Sequence, residues 1–246
     1  MRNYKDHLIQ SGSSIKAALR IFDNLAKDAI LFVVDINGKL LGSLTDGDVR
    51  RGLLNDCSID EKVDQIIQSN PKYINEGEKD LNKIIDYREG NFRILPVIDK
   101  DKTIVNIINF RKQKSYLPID AVVMAGGRGT RLQPLTDTIP KPLLKVGDKS
   151  IMEYNVDRLA LYGIQDFWFS VKYLGHQIQE YFNKGKEKNI SIKYVFENSP
   201  LGTIGAVSKI MDFKHDYVLV TNSDILTNLD YEEFYKDFIN KDADLS

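Results

Sequence analysis

The chain reads as an α/β protein in two parts: a small α+β module, then a mostly parallel sheet with helices on both faces. Three observations predict this. From residue 120 onward, short apolar runs alternate with amphipathic segments, the pattern of parallel strands joined by helices. Residues 1–115 instead carry a weak internal repeat in which one helix-like segment precedes two strand-like runs. Between them, Arg111-Lys-Gln-Lys-Ser-Tyr-Leu-Pro118 is polar, basic and ends in proline, the composition of a solvated connector. The expected domains are therefore 1–115, in copies of about 1–56 and 57–115, and 118–246.

In the first copy, Ser14–Ala26 places Ile15, Ala18, Leu19 and Phe22 on one helical face. Ile30–Asp35 and Leu40–Leu44 are strands joined by Asn37-Gly38, a strong hairpin signal. The second copy repeats the order with Glu78–Arg88, Ile94–Asp99 and Ile104–Ile108. Between the copies, Ser58-Ile-Asp-Glu61 has capping-box spacing and predicts a short helix through Ile67. In the second part, Asp120–Ala125 is a buried strand, and Ser150-Ile-Met-Glu153 opens a helix that stops at Gly163. Strands follow at Asp166–Val171, Ile190–Phe196 and Tyr217–Thr221, and helices at Leu174–Asn183, Leu201–Met211 and Tyr231–Asn240. Asp242–Ser246 reads as the opening of another strand.

Composition narrows the classes of function. With 42% hydrophobic and 28% charged residues and a net charge of −1, the chain has a core but no bulk attraction to nucleic acid or anionic membrane. No apolar run reaches the length of a membrane span, and the start lacks the pattern of a signal peptide. Cys57 is the only cysteine, which excludes an intrachain disulfide. The expectation is a cytoplasmic protein. His7, His176 and His215 have no ligand spacing and read as packing or surface residues.

The densest chemistry follows the strand at 120–125. Met124 and Ala125 lead into Gly126, Gly127 and Gly129, with Thr130 and Arg131 after them and Lys141 held between two prolines. Glycines let the backbone take positive φ and approach a ligand closely, and successive N–H groups in such a loop cradle anions. Arg131 adds a planar cation suited to phosphate, and Lys141 a second cation on a stiff segment. The Walker pattern is absent, and the dinucleotide fingerprint lacks its third glycine. Strand, glycine loop and two basic residues together suggest a polyphosphate site, although a bare glycine cluster is more often just a turn.

The full string Gly-Gly-Arg-Gly-Thr-Arg-Leu-Gln-Pro-Leu-Thr at 126–136, followed by Pro140-Lys-Pro142, resembles the signature of the sugar-1-phosphate nucleotidyltransferases. It looks most like their mannose-1-phosphate guanylyltransferase branch. The resemblance implies a Rossmann-like, three-layer nucleotidyltransferase domain that is truncated here, since such proteins generally continue for on the order of a hundred residues past this point. That continuation would supply most of the sugar pocket and a second metal-binding aspartate. The resemblance also implies transfer of a nucleotidyl group from an NTP to a sugar 1-phosphate. Arg131 would grip the departing phosphates and Lys141 those near the attacked centre. Asp224, at a strand end beside Asn222 and Ser223, would hold Mg2+, a hard ion that takes carboxylate and phosphate oxygens.

Glu197 and Gly202 lie in Glu-Asn-Ser-Pro-Leu-Gly-Thr-Ile-Gly-Ala206, which resembles the guanylyltransferase version of this segment. Guanine presents two adjacent donors to one carboxylate, whereas uracil or thymine would set a carbonyl against it. GTP is therefore favoured, with UTP, dTTP or CTP as the alternative.

The N-terminal module resembles a tandem pair of cystathionine-β-synthase-type (CBS) domains. The ribose motif of that family stands here as Gly42-Ser-Leu-Thr45-Asp46-Gly47-Asp48. The resemblance implies an adenosine nucleotide at Thr45 and Asp48, although both are also good helix-start residues. The second copy has Asn106, Asn109 and Lys112 at the matching positions and departs from the motif. The pair reads either as a nucleotide-binding regulator or as a dimerising module, with a homodimer expected. A non-catalytic, nucleotide-sensing regulatory protein is the remaining alternative for the whole chain.

Overall fold

The computed structural model describes residues 4–197 and 205–245. The chain divides into two compact units, Arg2–Lys112 and Gln113–Ser246. The first contains β1 (Leu8–Gln10), α1 (Ile15–Leu25), β2 (Ile30–Val34), β3 (Leu40–Thr45) and α2 (Asp46–Leu54), followed by β4 (Ile74–Asn75), α3 (Leu81–Glu89), β5 (Ile94–Ile98) and β6 (Ile104–Asn109). The two copies share one topology. In the sheet β1-β2-β3 and in the sheet β4-β5-β6, the first pair is parallel and the second antiparallel. The register shift also recurs, between Val33 and Val34 and between Val97 and Ile98.

Both hairpin turns are built on an aspartate. Asp35 accepts from Asn37 N and Lys39 N at 2.8 Å each, and Asp99 accepts from Asp101 N and Thr103 N at 2.9 Å each. Gly38 takes φ +82° in the first turn, and Lys102 takes φ +64° at the corresponding place in the second. β2 is apolar throughout because both its faces are covered. Leu31 and Val33 pack with Ile15, Ala18 and Phe22 of α1, while Phe32 and Val34 pack with Ile94, Ile98 and Ile104.

Several expectations for local structure are overturned. Residues 58–67 form no α-helix, only a 3-10 turn at Val63–Gln65. The backbone of Glu61 to Val63 is committed to the start of α1, with Ile15 N donating to Glu61 O and Val63 N to Ser13 O, both at 2.9 Å. Segment 111–118 is not a solvated connector. Lys114 N donates to Leu161 O at 2.7 Å, Leu117 N donates to Tyr162 O at 3.0 Å, and Ser115, Tyr116 and Leu117 are buried. Finally, residues 242–245 form no strand, and Asp242 takes φ +48°.

The second unit contains β7 (Ile119–Ala125), a short hairpin of β8 (Lys145–Val146) and β9 (Lys149–Ser150), α4 (Ile151–Leu161), β10 (Asp166–Val171), α5 (Gly175–Phe182), β11 (Ser191–Phe196), β12 (Tyr217–Asn222) and α6 (Tyr231–Asn240). The large sheet runs β11-β10-β7-β12, all parallel. On one face Val122, Trp168, Val195 and Val220 pack against Val207, Ile210 and Phe213. On the other, Phe169 meets Phe182 of α5 edge to face. Of the helix expected over 201–211, residues 201–204 lie outside the described residues, and the remainder holds only a 3-10 turn at Val207–Lys209. The three histidines pack as expected: His7 is buried against Ile30 O at 2.9 Å, His176 stacks on Phe196, and His215 lies 3.6 Å from Asp166.

Candidate functional site

The strands of the large sheet end level. Ala125 pairs with Val171, Val171 with Phe196, and Met124 with Asn222. Because the strands are parallel, the residues that follow each of them leave from the same edge. Gly126, Lys172, Glu197 and Ser223 are those residues, so the fold gathers what the sequence scatters.

At the glycine loop, a Cβ added to Gly127 would meet nothing within 4 Å, so this point of the loop borders open space. Gly129 is fixed by two constraints. Its φ is +67°, and a Cβ there would lie 2.9 Å from Lys141 Cβ and 3.1 Å from Thr136 Cγ2. Thr136 Oγ1 donates to Gly129 O at 2.9 Å. Tyr173 OH donates to the carbonyls of Thr136 and Asp137 at 3.1 and 3.0 Å, and the Arg128 guanidinium lies 5.3 Å from the centre of the Tyr173 ring. The loop is therefore tied down at several points rather than hinged at its ends.

Thr130 and Arg131 lie in a 3-10 turn, Thr130–Leu132. Arg131 is exposed and makes no ion pair or hydrogen bond among the described residues. Lys141 differs: its ammonium is paired with the Asp224 carboxylate, with the two side chains 37% and 31% exposed. Asp224 is held from below by its neighbour. Buried Asn155 on α4 donates its side-chain amide to Ser223 O at 2.8 Å, and Ser223 N donates to Met124 O at 3.0 Å.

Glu197 leaves β11 with its N–H on Val171 O at 2.9 Å. Its Oε1 accepts from the hydroxyl of Ser170 and would lie 3.5 Å from a Cβ on Gly126. A carboxylate and the glycine loop thus adjoin at the sheet edge, and the Lys141–Asp224 pair lies against the far end of the same loop. The structure brings Gly126, Gly129, Lys141, Glu197 and Asp224 to one edge of one sheet. Gly202 lies outside the described residues. Sequence reasoning missed Ser170, Asn155 and Lys172, whose Cβ lies 3.3 Å from the same Gly126 position. A serine in an apolar strand and an asparagine on the buried face of a helix were the available signals.

Asp224 offers hard oxygen donors beside the glycine loop, a donor type that suits magnesium. Among the described residues no group of three His, Cys, Asp or Glu converges on a metal position, so the donor set is one carboxylate.

In the first unit, Thr45 and Asp48 form a capping box at the start of α2. Asp48 is 4% exposed and accepts from Thr45 N at 2.8 Å, Thr45 Oγ1 at 2.6 Å, Gln68 Nε2 at 2.9 Å and the Arg51 guanidinium. Burial pushes its carboxyl up, but the bonds from Thr45, Gln68 and Arg51 outweigh that and hold it below the usual carboxylate range. A cavity of about 350 Å³ opens beside Thr45, lined also by Ile30, Phe32, Ser43, Lys72 and Arg93. Asp48 does not line it. In the second copy, Asn109 is buried with its Oδ1 on Arg111 N at 3.0 Å, and Lys112 pairs with Asp28 at 3.1 Å.

Among known proteins, the profile described as nucleotidyl transferase matches residues 120–246, and that of the CBS domain matches residues 7–55. The mannose-1-phosphate guanyltransferase of Schizosaccharomyces pombe is 39% identical over 110 residues, covering 43% of this chain and 30% of that protein. The D-glycero-α-D-manno-heptose 1-phosphate guanylyltransferase of Campylobacter jejuni is 36% identical over 112 residues, 46% of this chain and 50% of that one. The UTP–glucose-1-phosphate uridylyltransferase of a Synechocystis strain is 33% identical over 122 residues, 45% and 31% respectively. The chain thus spans half or less of the length of each of these relatives.

Proposed function

The chain belongs to the nucleotidyl transferase family through residues 120–246, and on that premise we propose that this unit is the nucleotide-handling part of a sugar-1-phosphate nucleotidyltransferase that favours GTP. The observation that carries the reading is the Glu197 carboxylate at the rim of the glycine loop, on the same sheet edge as Lys141 and Asp224. A carboxylate there accepts from both N1–H and the N2 amine of guanine.

In the reaction, a phosphate oxygen of the sugar 1-phosphate bonds to the α-phosphorus of the NTP. The bond from that phosphorus to the oxygen bridging to the β-phosphate breaks, and pyrophosphate leaves. No covalent intermediate with the protein is required, so the side chains act by positioning and by neutralising charge. Arg131, without a partner among the described residues, would hold the β- and γ-phosphates, and Lys141 the phosphate at the attacked centre. Asp224 would hold magnesium, which would supply charge neutralisation at the substrate phosphates. Asn155 fixes the backbone that carries Asp224.

The test is pyrophosphate release from GTP and from UTP, with mannose 1-phosphate, a heptose 1-phosphate and glucose 1-phosphate as acceptors. Release with GTP and a sugar 1-phosphate supports the reading. No release from any pairing, together with no nucleotide binding, overturns it. Faster release with UTP would favour the second reading, a uridylyltransferase, which the Synechocystis relative supports.

For the first unit, the cavity beside Thr45 supports an adenosine nucleotide as a regulatory ligand, held by Thr45 with Arg93 and Lys72 as phosphate partners. Calorimetry with AMP, ADP and ATP tests this. An unchanged affinity in Thr45→Ala removes the residue from the site and leaves a dimerising role.

A further inference from the structure

We infer that Ser170 is the residue that sets base selectivity, by positioning Glu197; this rests on Glu197 being the group that reads the base. The two residues directly beside Ser170 on the neighbouring strands are apolar, although Asn222 lies beyond Met124 in the same row. Along β10 it alternates with Phe169 and Val171, and it shares a face with Trp168. Its register partners are Met124 on β7 and Val195 on β11, both packed in the cluster of Val122, Trp168 and Ile210. Ser170 is fully buried there. A buried hydroxyl between apolar neighbours needs a partner, and this one has the Glu197 carboxylate.

The chemistry of the pair has one direction. An ionised carboxylate only accepts, so the hydroxyl donates and Glu197 Oε1 receives. That bond pins a long, rotamer-rich side chain at the end of β11 before any ligand arrives. Fixing the group in advance removes an ordering cost from binding. It also uses one acceptor position out of about four on the carboxylate, so both guanine donors can still be met. A uracil ring has no adjacent pair of donors to gain from this arrangement. The bond from Ser170 therefore favours GTP over UTP without Ser170 touching either.

The test is the magnesium-supported affinity of the chain for GTP and for UTP, by calorimetry, in the wild type, Ser170→Ala, Ser170→Thr, Glu197→Gln and the Ser170→Ala/Glu197→Gln double variant. Ser170→Ala is expected to lower the GTP-to-UTP affinity ratio about 5- to 10-fold, the scale of an ordinary intramolecular hydrogen bond, with UTP affinity unchanged. Ser170→Thr, which keeps the hydroxyl, restores the ratio. The double variant is no less selective than Glu197→Gln alone, because the two residues act as one unit. If Glu197→Gln lowers the ratio and Ser170→Ala does not, Ser170 plays no positioning part. If Ser170→Ala weakens both nucleotides equally, its role is structural and the inference fails. If Glu197→Gln itself leaves the ratio unchanged, the reading of the base site falls and this inference with it.

Discussion

Asp48 and Asp224 are both aspartates placed just past the end of a β-strand, and the protein treats them differently. Asp48, after β3, is buried and receives bonds from Thr45, Arg51 and Gln68. Asp224, after β12, is about a third exposed and has one ionic partner among the described residues, Lys141. The first has little capacity left for a ligand, and its neighbourhood is a completed helix start. The second can exchange its partner. Strand-end position alone therefore does not mark a functional carboxylate; what marks it is the bonding capacity that the fold leaves open.

The comparison breaks most sharply at Asp224. Asp224→Asn should lower pyrophosphate release by about 10²-fold or more, the scale of losing a preorganised charge-stabilising contact. Its thermal midpoint should stay near that of the wild type, because an exposed ion pair contributes at most about 1 kcal/mol. A large drop in the midpoint would place Asp224 with Asp48. Arg131→Ala should lower turnover on a similar scale of about 10²-fold, again without unfolding, since this exposed residue has no packing to lose. Near wild-type rates would remove it from the mechanism.

A smaller effect is expected at Glu197. Glu197→Gln should shift the GTP-to-UTP preference by on the order of 1–3 kcal/mol, since an amide cannot accept from both guanine donors. Kinetics with each nucleotide measure it. Asp48→Ala should instead cost stability, about 1–2 kcal/mol for the lost helix cap, and leave GTP affinity unchanged. Denaturant melts beside GTP titrations separate the two.

The smallest effect concerns acid. Asp48 has its folded-state pKa below the unfolded value, so its stabilisation is present above about pH 4 and is lost as pH falls through the folded pKa. In Asp48→Asn the first unit should lose less stability than the wild type between about pH 5 and pH 2. Equal acid sensitivity of the two forms would show that the cap does not depend on the charge.

Much of this was legible in the sequence, for identifiable reasons. The duplicated helix-strand-strand order could be read because Asn37-Gly38 and the apolar runs around it are local signals, and the shared topology and bulge follow from them. The glycine loop, Lys141 and Asp224 could be singled out because glycines, prolines and strand-end aspartates are local signals, and the fold brings them to one sheet edge. The failures are all long-range. Ser58 to Glu61 has the local form of a helix start, but Glu61 and Val63 bond to residues 13 and 15 instead. The basic stretch at 111–118 looks solvated, yet Tyr116 and Leu117 are buried and Lys114 lies over the Tyr162 ring. Ser170 and Asn155 support Glu197 and Asp224 from other strands and helices, and nothing in their own neighbourhood announces it.

On the proposed reading, the pairing of Lys141 with Asp224 would bear on which form of the triphosphate is admitted. As it stands, the pair is electrically neutral and holds itself shut. A bare anion that draws Lys141 away leaves the Asp224 carboxylate uncompensated and facing like charge. A bare divalent cation that takes Asp224 leaves an ammonium beside a second positive charge. Only a particle carrying both signs at once, a metal-chelated triphosphate, can replace each member of the pair with a matching counter-charge. With Asp224 as the proposed metal ligand, the pair would favour the chelated complex over free nucleotide, free phosphate and free metal, by no more than the modest energy of an exposed ion pair.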